Sequence, residues 1–239
     1  LSFCGHQKLD KFILIFDSNN IQLDGETSMT ISEDIKKKME AIGFNYILVE
    51  DGNNTDDIVE AINKAKSQNE KPSFIEVRTI IGHGSKLAGT CDCHGAPLGE
   101  ENTKIVRENL DWNYEPFDIP SDIYTEVSLA MKKLGISKYE NWKKDFELYQ
   151  EKYPNKSEEL CKFMNNDFDL PMFDEVAENH DEATRVSGGK ILTKLQKYCP
   201  NLLGGSADLS KSTYAKGIDG NCTKENPLGR NICYGVREH

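Results

Sequence analysis

Several short stretches hold the residue types from which chemistry is built. Residues 82–99 read Gly-His-Gly-Ser-Lys-Leu-Ala-Gly-Thr-Cys-Asp-Cys-His-Gly-Ala-Pro-Leu-Gly. Glycines let backbone approach a ligand closely. A neutral imidazole at His83 or His94 shuttles a proton or hydrogen-bonds an oxyanion; as plain alternatives, both are surface histidines of a loop. Residues 17–25, Asp-Ser-Asn-Asn-Ile-Gln-Leu-Asp-Gly, offer the Asn19 side-chain oxygen and, two residues on, the Ile21 carbonyl. Hard oxygens of this kind suit magnesium shared with a phosphate. The same residues would equally make a simple turn. Glu238 lies at the end of an expected strand. A carboxyl group in an apolar cleft has its pKa raised, because burial disfavours the charge, and it then holds and passes a proton. A strand-end surface carboxylate is the bland reading. Arg185 carries a planar fork suited to phosphate, or is a solvated charge. Cys91-Asp92-Cys93-His94 has zinc-binding residue types but no second ligand pair at the spacing of structural zinc.

The elements that must position these groups are legible in the apolar pattern. Phe12-Ile13-Leu14-Ile15-Phe16 is a continuous apolar run that breaks at Asp17, as a buried parallel strand delivering a polar loop would. Ser32-Glu33-Asp34 then precedes Ile35, Met39 and Ile42 at helical spacing, with Gly43 after them. Residues 46–49 read as a strand. A helix starting at Asn54 or Thr55 has Ile58, Ala61, Ile62 and Ala65 on one face, and residues 73–81 read as a third strand. Strand, helix, strand, helix, strand predicts a parallel sheet with helices on its faces. A structureless loop is expected over 82–99. Ligands in such sheets bind beyond the carboxyl ends of the strands, where this loop and the 17–25 loop would both lie.

Residues 121–165 are expected to be helical and charged, with Tyr139, Trp142, Phe146, Tyr149 and Tyr153 interleaved. The polar stretch 166–184 reads as an inter-domain linker. A helix over 187–198, a short strand at Leu202-Leu203 and a strand over 231–236 would open the next domain.

Composition narrows the function. The chain has 239 residues and a net charge of −11, which argues against a polyanion-binding surface and hence against nucleic acid. No apolar run near the start is long enough for a signal peptide or a bilayer span, so no membrane role is expected. Seven cysteines without a C-x-x-C pair fit reduced thiols in a cytoplasmic enzyme.

Taken together, the segments resemble the transketolase family. Ile80-Ile81-Gly82-His83-Gly84-Ser85, Ala88-Gly89-Thr90 and His94-Gly95-Ala96-Pro97-Leu98-Gly99 resemble one continuous signature of that family. Gly204-Gly205-Ser206-Ala207-Asp208-Leu209 resembles a second, and Tyr234-Gly235-Val236-Arg237-Glu238-His239 a third. Asp17-Ser18-Asn19 with Leu23-Asp24-Gly25 matches the tail of the family's thiamine-diphosphate motif, which begins Gly-Asp-Gly.

The resemblance implies an α/β, parallel-sheet thiamine-diphosphate-binding fold. Residues 1–165 would be the C-terminal part of the diphosphate-binding domain with a helical extension, 166–184 a linker, and 185–239 the N-terminal part of the pyrimidine-binding domain. It implies thiamine diphosphate and Mg2+, or Ca2+ or another divalent ion, as cofactors. By the same resemblance Asn19 and the Ile21 carbonyl are metal ligands. Ile81, His94, Asp208 and Glu238 bind the cofactor. His94, Arg185 and Ser212 bind the sugar phosphate, and Glu238 and His94 are catalytic.

The implied activity is transfer of a two-carbon ketol unit from a ketose phosphate to an aldose phosphate, in the pentose phosphate pathway. A homodimer with its site shared between subunits is implied too. Alternatives are a dihydroxyacetone synthase, or a non-catalytic fragment or pseudoenzyme acting as a binding module. There are departures: Cys91 stands where the family often has His, and Gly188 where it usually has Ser, with Ser187 one place earlier. The family's Gly-Asp-Gly start would precede Leu1 and its pyrimidine-holding aromatics would follow His239, so the chain by itself is expected to be inactive.

Overall fold

The computed structural model describes residues 1–170 and 181–236. The chain forms two compact units, Leu1–Asp118 and Ile119–His239.

In the first unit, β1 (Ile13–Ser18), β4 (Asn45–Val49) and β5 (Ser73–Arg78) form a parallel sheet of order β1-β5-β4. Ile13 lies beside Ser73 and Ser18 beside Arg78. Between β1 and β4 come the two-residue strands β2 (Ile21–Gln22) and β3 (Gly25–Glu26), paired antiparallel. The helices are α1 (Ser2–His6), α2 (Ile35–Ala41), α3 (Thr55–Ser67) and α4 (Gly99–Asn109).

Caps define where the two long-range helices begin. The Asp34 carboxylate accepts from Lys37 N at 3.0 Å at the start of α2. The Asn54 side chain accepts from Asp56 N at 3.1 Å at the start of α3. Each satisfies one of the orphan amide donors of a first helical turn.

Successive side chains of a strand face opposite ways, so the sheet has an odd face and an even face. On the odd face, Ile47, Val49, Ile75 and Val77 pack with Ala61 and Ala65 of α3. On the even face, Phe74 packs with Met39 of α2 and Phe44, joined by Cys4 of α1 and by Ile35. Phe44 and Phe74 meet edge to face, centroids 6.5 Å apart. β5, the middle strand, is buried from Ser73 through Val77. β1 is parallel, as expected, but among the described residues β5 is its only strand neighbour, and Ile15 is 50% exposed.

The second unit opens with α5 (Ser121–Met131), which continues through a π-helical turn, Lys132–Ile136, into α6 (Ser137–Lys152) and then α7 (Pro154–Asn165). The aromatics of α6 fall at helical spacing and stack along one side, Tyr139 on Trp142, Trp142 on Phe146 and Phe146 on Tyr149. Residues 171–180 of the expected linker lie outside the described residues. Then follow α8 (Thr184–Tyr198), β6 (Gly204–Ser206), α9 (Ser210–Thr213) and β7 (Asn231–Cys233).

β6 and β7 pair in parallel. The strand expected at Leu202-Leu203 instead occupies the following glycines. A Cβ at Gly205 would lie 1.8 Å from the Ile232 carbonyl oxygen, so only glycine admits so close a pairing. β7 stops at Cys233, short of the predicted residue 236. Among the described residues no helix is long and apolar enough to cross a membrane. All seven cysteines are unpaired.

Ile75 is fully buried at the centre of the parallel sheet. Ile75→Ala is expected to destabilise the fold by about 2–5 kcal/mol, read as a fall in the urea midpoint without a change in slope.

Candidate functional site

The carboxyl ends of β1 and β5 are adjacent, and two loops leave the sheet there. Their roots are tied together. Thr79 N donates to the Ser18 carbonyl at 3.3 Å, and the Thr79 hydroxyl donates to the Asp17 carboxylate. Asn19 is therefore the first residue past a fixed point. Asn20 follows in the left-handed region, φ 61°, and the Asn19 Oδ1 accepts from Ile21 N at 3.0 Å. This Asx turn sets the direction of the amide oxygen while leaving it a second lone pair. Thr27 N donates to the Asn20 carbonyl at 2.9 Å and closes the base of the small β2–β3 hairpin. Ile21 thus sits at the start of a hairpin that two separate hydrogen bonds hold in place.

The loop after β5 is not structureless, as the sequence had implied. It is wound into consecutive turns, because its Ser, Thr and Cys side chains compete for backbone partners at short range. The Gly82 carbonyl accepts both Ser85 N, at 3.0 Å, and the Ser85 hydroxyl, at 2.7 Å. Gly89 N returns to the Ile81 carbonyl at 2.8 Å, and the Thr90 hydroxyl donates to the Leu87 carbonyl at 2.7 Å. Gly82 has φ +66°, where glycine is favoured, and a Cβ there would lie 2.7 Å from the Cys93 sulfur, which would have to move.

Helix α4 buttresses this loop: Asn109 Nδ2 donates to the Gly84 carbonyl at 2.7 Å, and Lys86 pairs with Glu101. Residues Cys91–Cys93 form a 3-10 turn, and His94 N donates to the Cys91 carbonyl at 3.0 Å. The His94 Nδ1 is buried and has no hydrogen-bond partner. A buried polar nitrogen left in that state calls for a partner that the described residues do not supply. His83, by contrast, is exposed. The Cys93 thiol donates to the Thr90 carbonyl at 3.2 Å. Among the described residues, no group of three or more His, Cys, Asp and Glu is arranged to hold a metal.

The structure thus sets Asn19 and Ile21 on one loop and Ile81 and His94 on the next, at the carboxyl edge of neighbouring strands. The remaining predicted residues belong to the second unit. Arg185 is in the first turn of α8 and exposed. Nearby, the Ser187 hydroxyl donates to Glu182 Oε1 at 2.8 Å, and Lys190 pairs with the same carboxylate. The Lys190 hydrogen bond, followed by that of Ser187, lowers the Glu182 pKa from its ordinary value. Asp208 and Ser212 follow the carboxyl end of β6. Asp208 has φ +64°, and Ser212 N donates to the Leu209 carbonyl at 2.9 Å within α9. Ser206 Oγ, accepting from Leu209 N at 2.9 Å, closes the turn between them and the strand. Glu238 lies outside the described residues.

Sequence reasoning overlooked a buried polar cluster behind the Asn19 loop. Glu76, in the middle of β5, is 9% exposed and Ser18 is 8% exposed. The Ser18 hydroxyl donates to Glu76 Oε1 at 2.9 Å, and the Tyr46 hydroxyl donates to Glu76 Oε2 at 2.8 Å. Burial, then the hydrogen bond to Glu76, pushes the Tyr46 phenol well above its usual range, so it remains a donor. The available signal was a lone carboxylate inside the apolar run Phe74-Ile75-Glu76-Val77.

Residues 1–169 match the family model described as transketolase, thiamine diphosphate binding domain. The transketolase of Staphylococcus epidermidis is 43% identical over 99% of this chain, and the chain spans 37% of that relative's length. The solved transketolase of Leishmania mexicana is similar to all of the chain, with a TM-score of 0.88 at 30% identity, and the chain covers 36% of it. A Pichia stipitis transketolase, described as a complex with sedoheptulose-7-phosphate, gives a TM-score of 0.89 at 29% identity over the whole chain and 37% of its own length. The parallel sheet with its two carboxyl-edge loops is the fold of those enzymes' thiamine-diphosphate-binding domain, and this chain belongs to the transketolase family.

Proposed function

We propose that this chain serves a transketolase, moving a two-carbon ketol unit from a ketose phosphate to an aldose phosphate in the pentose phosphate pathway. One observation carries the reading: the unpartnered, buried His94 Nδ1 lies in a loop rooted beside the Asn19 loop, in a chain of this family. The names of the relatives and of the solved structures favour this reading over a dihydroxyacetone synthase or a non-catalytic binding module. The Pichia stipitis complex supports sugar phosphates as the substrate class.

The residues present fit a magnesium-bound diphosphate. The Asn19 amide oxygen and the Ile21 carbonyl are the hard oxygens magnesium takes, and the Asx turn has already fixed the first of them. His94 offers a buried nitrogen with nothing to bond to among the described residues. Gly95, next to His94, and Gly99 are both at positive φ with nothing within 4 Å of where a Cβ would be, so the backbone on this side is open to approach. Calcium or another divalent ion would suit the same oxygens.

Thiamine diphosphate, when bound, supplies the electron sink that lets the bond beside a ketone break. The residues of this chain take the following parts. Asn19 and Ile21 hold the metal. Ile81 gives an apolar contact that excludes water. His94 hydrogen-bonds the diphosphate side of the site and moves a proton at a sugar hydroxyl. Asp208 flanks the reacting ring. Arg185, with its planar fork, and Ser212 hold the sugar phosphate. Glu238 holds a proton at a pyrimidine nitrogen.

In this reading residues 1–165 belong to the diphosphate-binding domain, 166–184 link it onward and 185–239 begin the pyrimidine-binding domain. The working assembly is a cytoplasmic homodimer whose sites are shared between subunits.

Two substitutions in the full-length enzyme test the assignment. Asn19→Ala is expected to raise the magnesium concentration for half-saturation by at least about tenfold, the loss typical even of an outer partner of a metal site. Titration of the apoenzyme with metal at fixed cofactor measures this, and an unchanged midpoint removes Asn19 from the metal shell. Glu238→Ala is expected to lower turnover by about a thousandfold or more while the melting temperature and circular dichroism stay as before. Near-normal turnover would refute the role given to Glu238.

A further inference from the structure

The buried cluster behind the Asn19 loop has no part in the mechanism above, yet it is placed to control it. Glu76 stands opposite Phe16 of β1 and opposite Leu48 of β4. Ser18 and Tyr46 are each two residues from those partners, so all three side chains share the even face of the sheet. The carboxylate divides its oxygens between them, Oε1 to the Ser18 hydroxyl and Oε2 to the Tyr46 hydroxyl. Tyr46 is itself held, stacked on Phe74 with centroids 6.3 Å apart and with the Lys36 ammonium over its ring. The order of contact is β4, then β5, then the last residue of β1, and the next residue along the chain is Asn19.

A carboxylate is a poor choice for the centre of a sheet if stability is the only demand. An apolar residue of similar volume usually serves the fold as well or better. What the carboxylate adds is direction. A serine hydroxyl carries one proton, and Glu76 takes it, so the Ser18 side chain has one rotamer to adopt. The Ser18 carbonyl is already committed to Thr79 N. Both polar groups that precede Asn19 in space are therefore fixed, from two different sides.

We propose that Glu76 is a positioning residue for cation binding, acting through Ser18 to present the Asn19 amide oxygen and the Ile21 carbonyl at the metal. The proposal rests on the reading of Asn19 as a metal ligand. It makes metal affinity, and not only fold stability, depend on a carboxylate that never touches the ion.

The test is metal titration of the full-length apoenzyme at fixed thiamine diphosphate, followed by intrinsic fluorescence, on Ser18→Ala, Glu76→Leu, the double variant and Glu76→Gln. Ser18→Ala and Glu76→Leu should each raise the half-saturating magnesium concentration by about tenfold or more, as loss of an outer-shell partner does. The double variant should be no worse than the more severe single one, because both break the same link. Glu76→Gln should restore most of the affinity, since its amide accepts from Ser18 and donates to Tyr46 without a charge. Turnover at saturating metal should fall far less than affinity does.

Asn19→Ala is the reference. If it loses metal while folded Ser18→Ala stays within about twofold of the parent, the positioning role is wrong and the metal loop stands. Additive losses in the double variant would likewise overturn it. If Asn19→Ala leaves affinity unchanged, both the metal loop and the positioning role fall. Should Glu76→Leu not fold, Ser18→Ala decides the matter alone, since it removes a single oxygen.

Discussion

The parallel pairing of β1 with β5 is the constraint on which the site depends. In a parallel pair both strands deliver their following loops to the same edge. The register fixes the rest: Ser18 beside Arg78 makes the Asn19 loop and the Ile81 loop leave the sheet at the same level. Everything local then acts within that frame. The Asx turn at Asn19 aims an oxygen, and the wound loop from Gly82 to Gly99 buries a nitrogen of His94. A shift of one residue in the pairing would turn every β1 side chain to the opposite face and take Ser18 away from Glu76.

How much of this could be read beforehand depended on the range over which each signal acts. The helices α2 and α3 were legible because their caps, Asp34 and Asn54, stand next to apolar residues of helical period. The strands were legible as apolar runs, and their alternation with helices implied a parallel sheet. The order β1-β5-β4 was not, because pairing between segments some sixty residues apart leaves no mark in either one. The short strand β6 was expected two residues early, at Leu202-Leu203, because glycines have low strand propensity and are placed here by the close approach of Ile232. The 82–99 loop was legible as a long glycine-rich connection, but the turns within it come from side-chain-to-backbone bonds whose pairing the composition does not specify.

The site's polar groups are of two kinds. The first kind is satisfied inside the protein: Glu76 has both oxygens engaged, and Asp17 receives the Thr79 hydroxyl. The second kind is left waiting, as at His94 Nδ1. A buried satisfied group rigidifies its surroundings, and a buried unsatisfied one lowers stability until something fills it. Satisfied groups on β1 and β5 root the loop that carries His94, so ordering that a ligand would otherwise have to impose is already done. In the proposed reading the acidic chain, with a net charge of −11, would receive an anionic cofactor through a divalent cation.

The tie between Ser18 and Thr79 also has a kinetic side. Closing a contact over so long a stretch of chain is slow relative to forming α2 or α3, because the loop entropy must be overcome before the contact gives anything back. The Asn19 turn can form early, but it has no fixed place until β5 has docked beside β1. In the proposed reading, competence to capture a cation should therefore appear only once β5 has docked beside β1, and a bound ion would hold the completed sheet against local opening at that join.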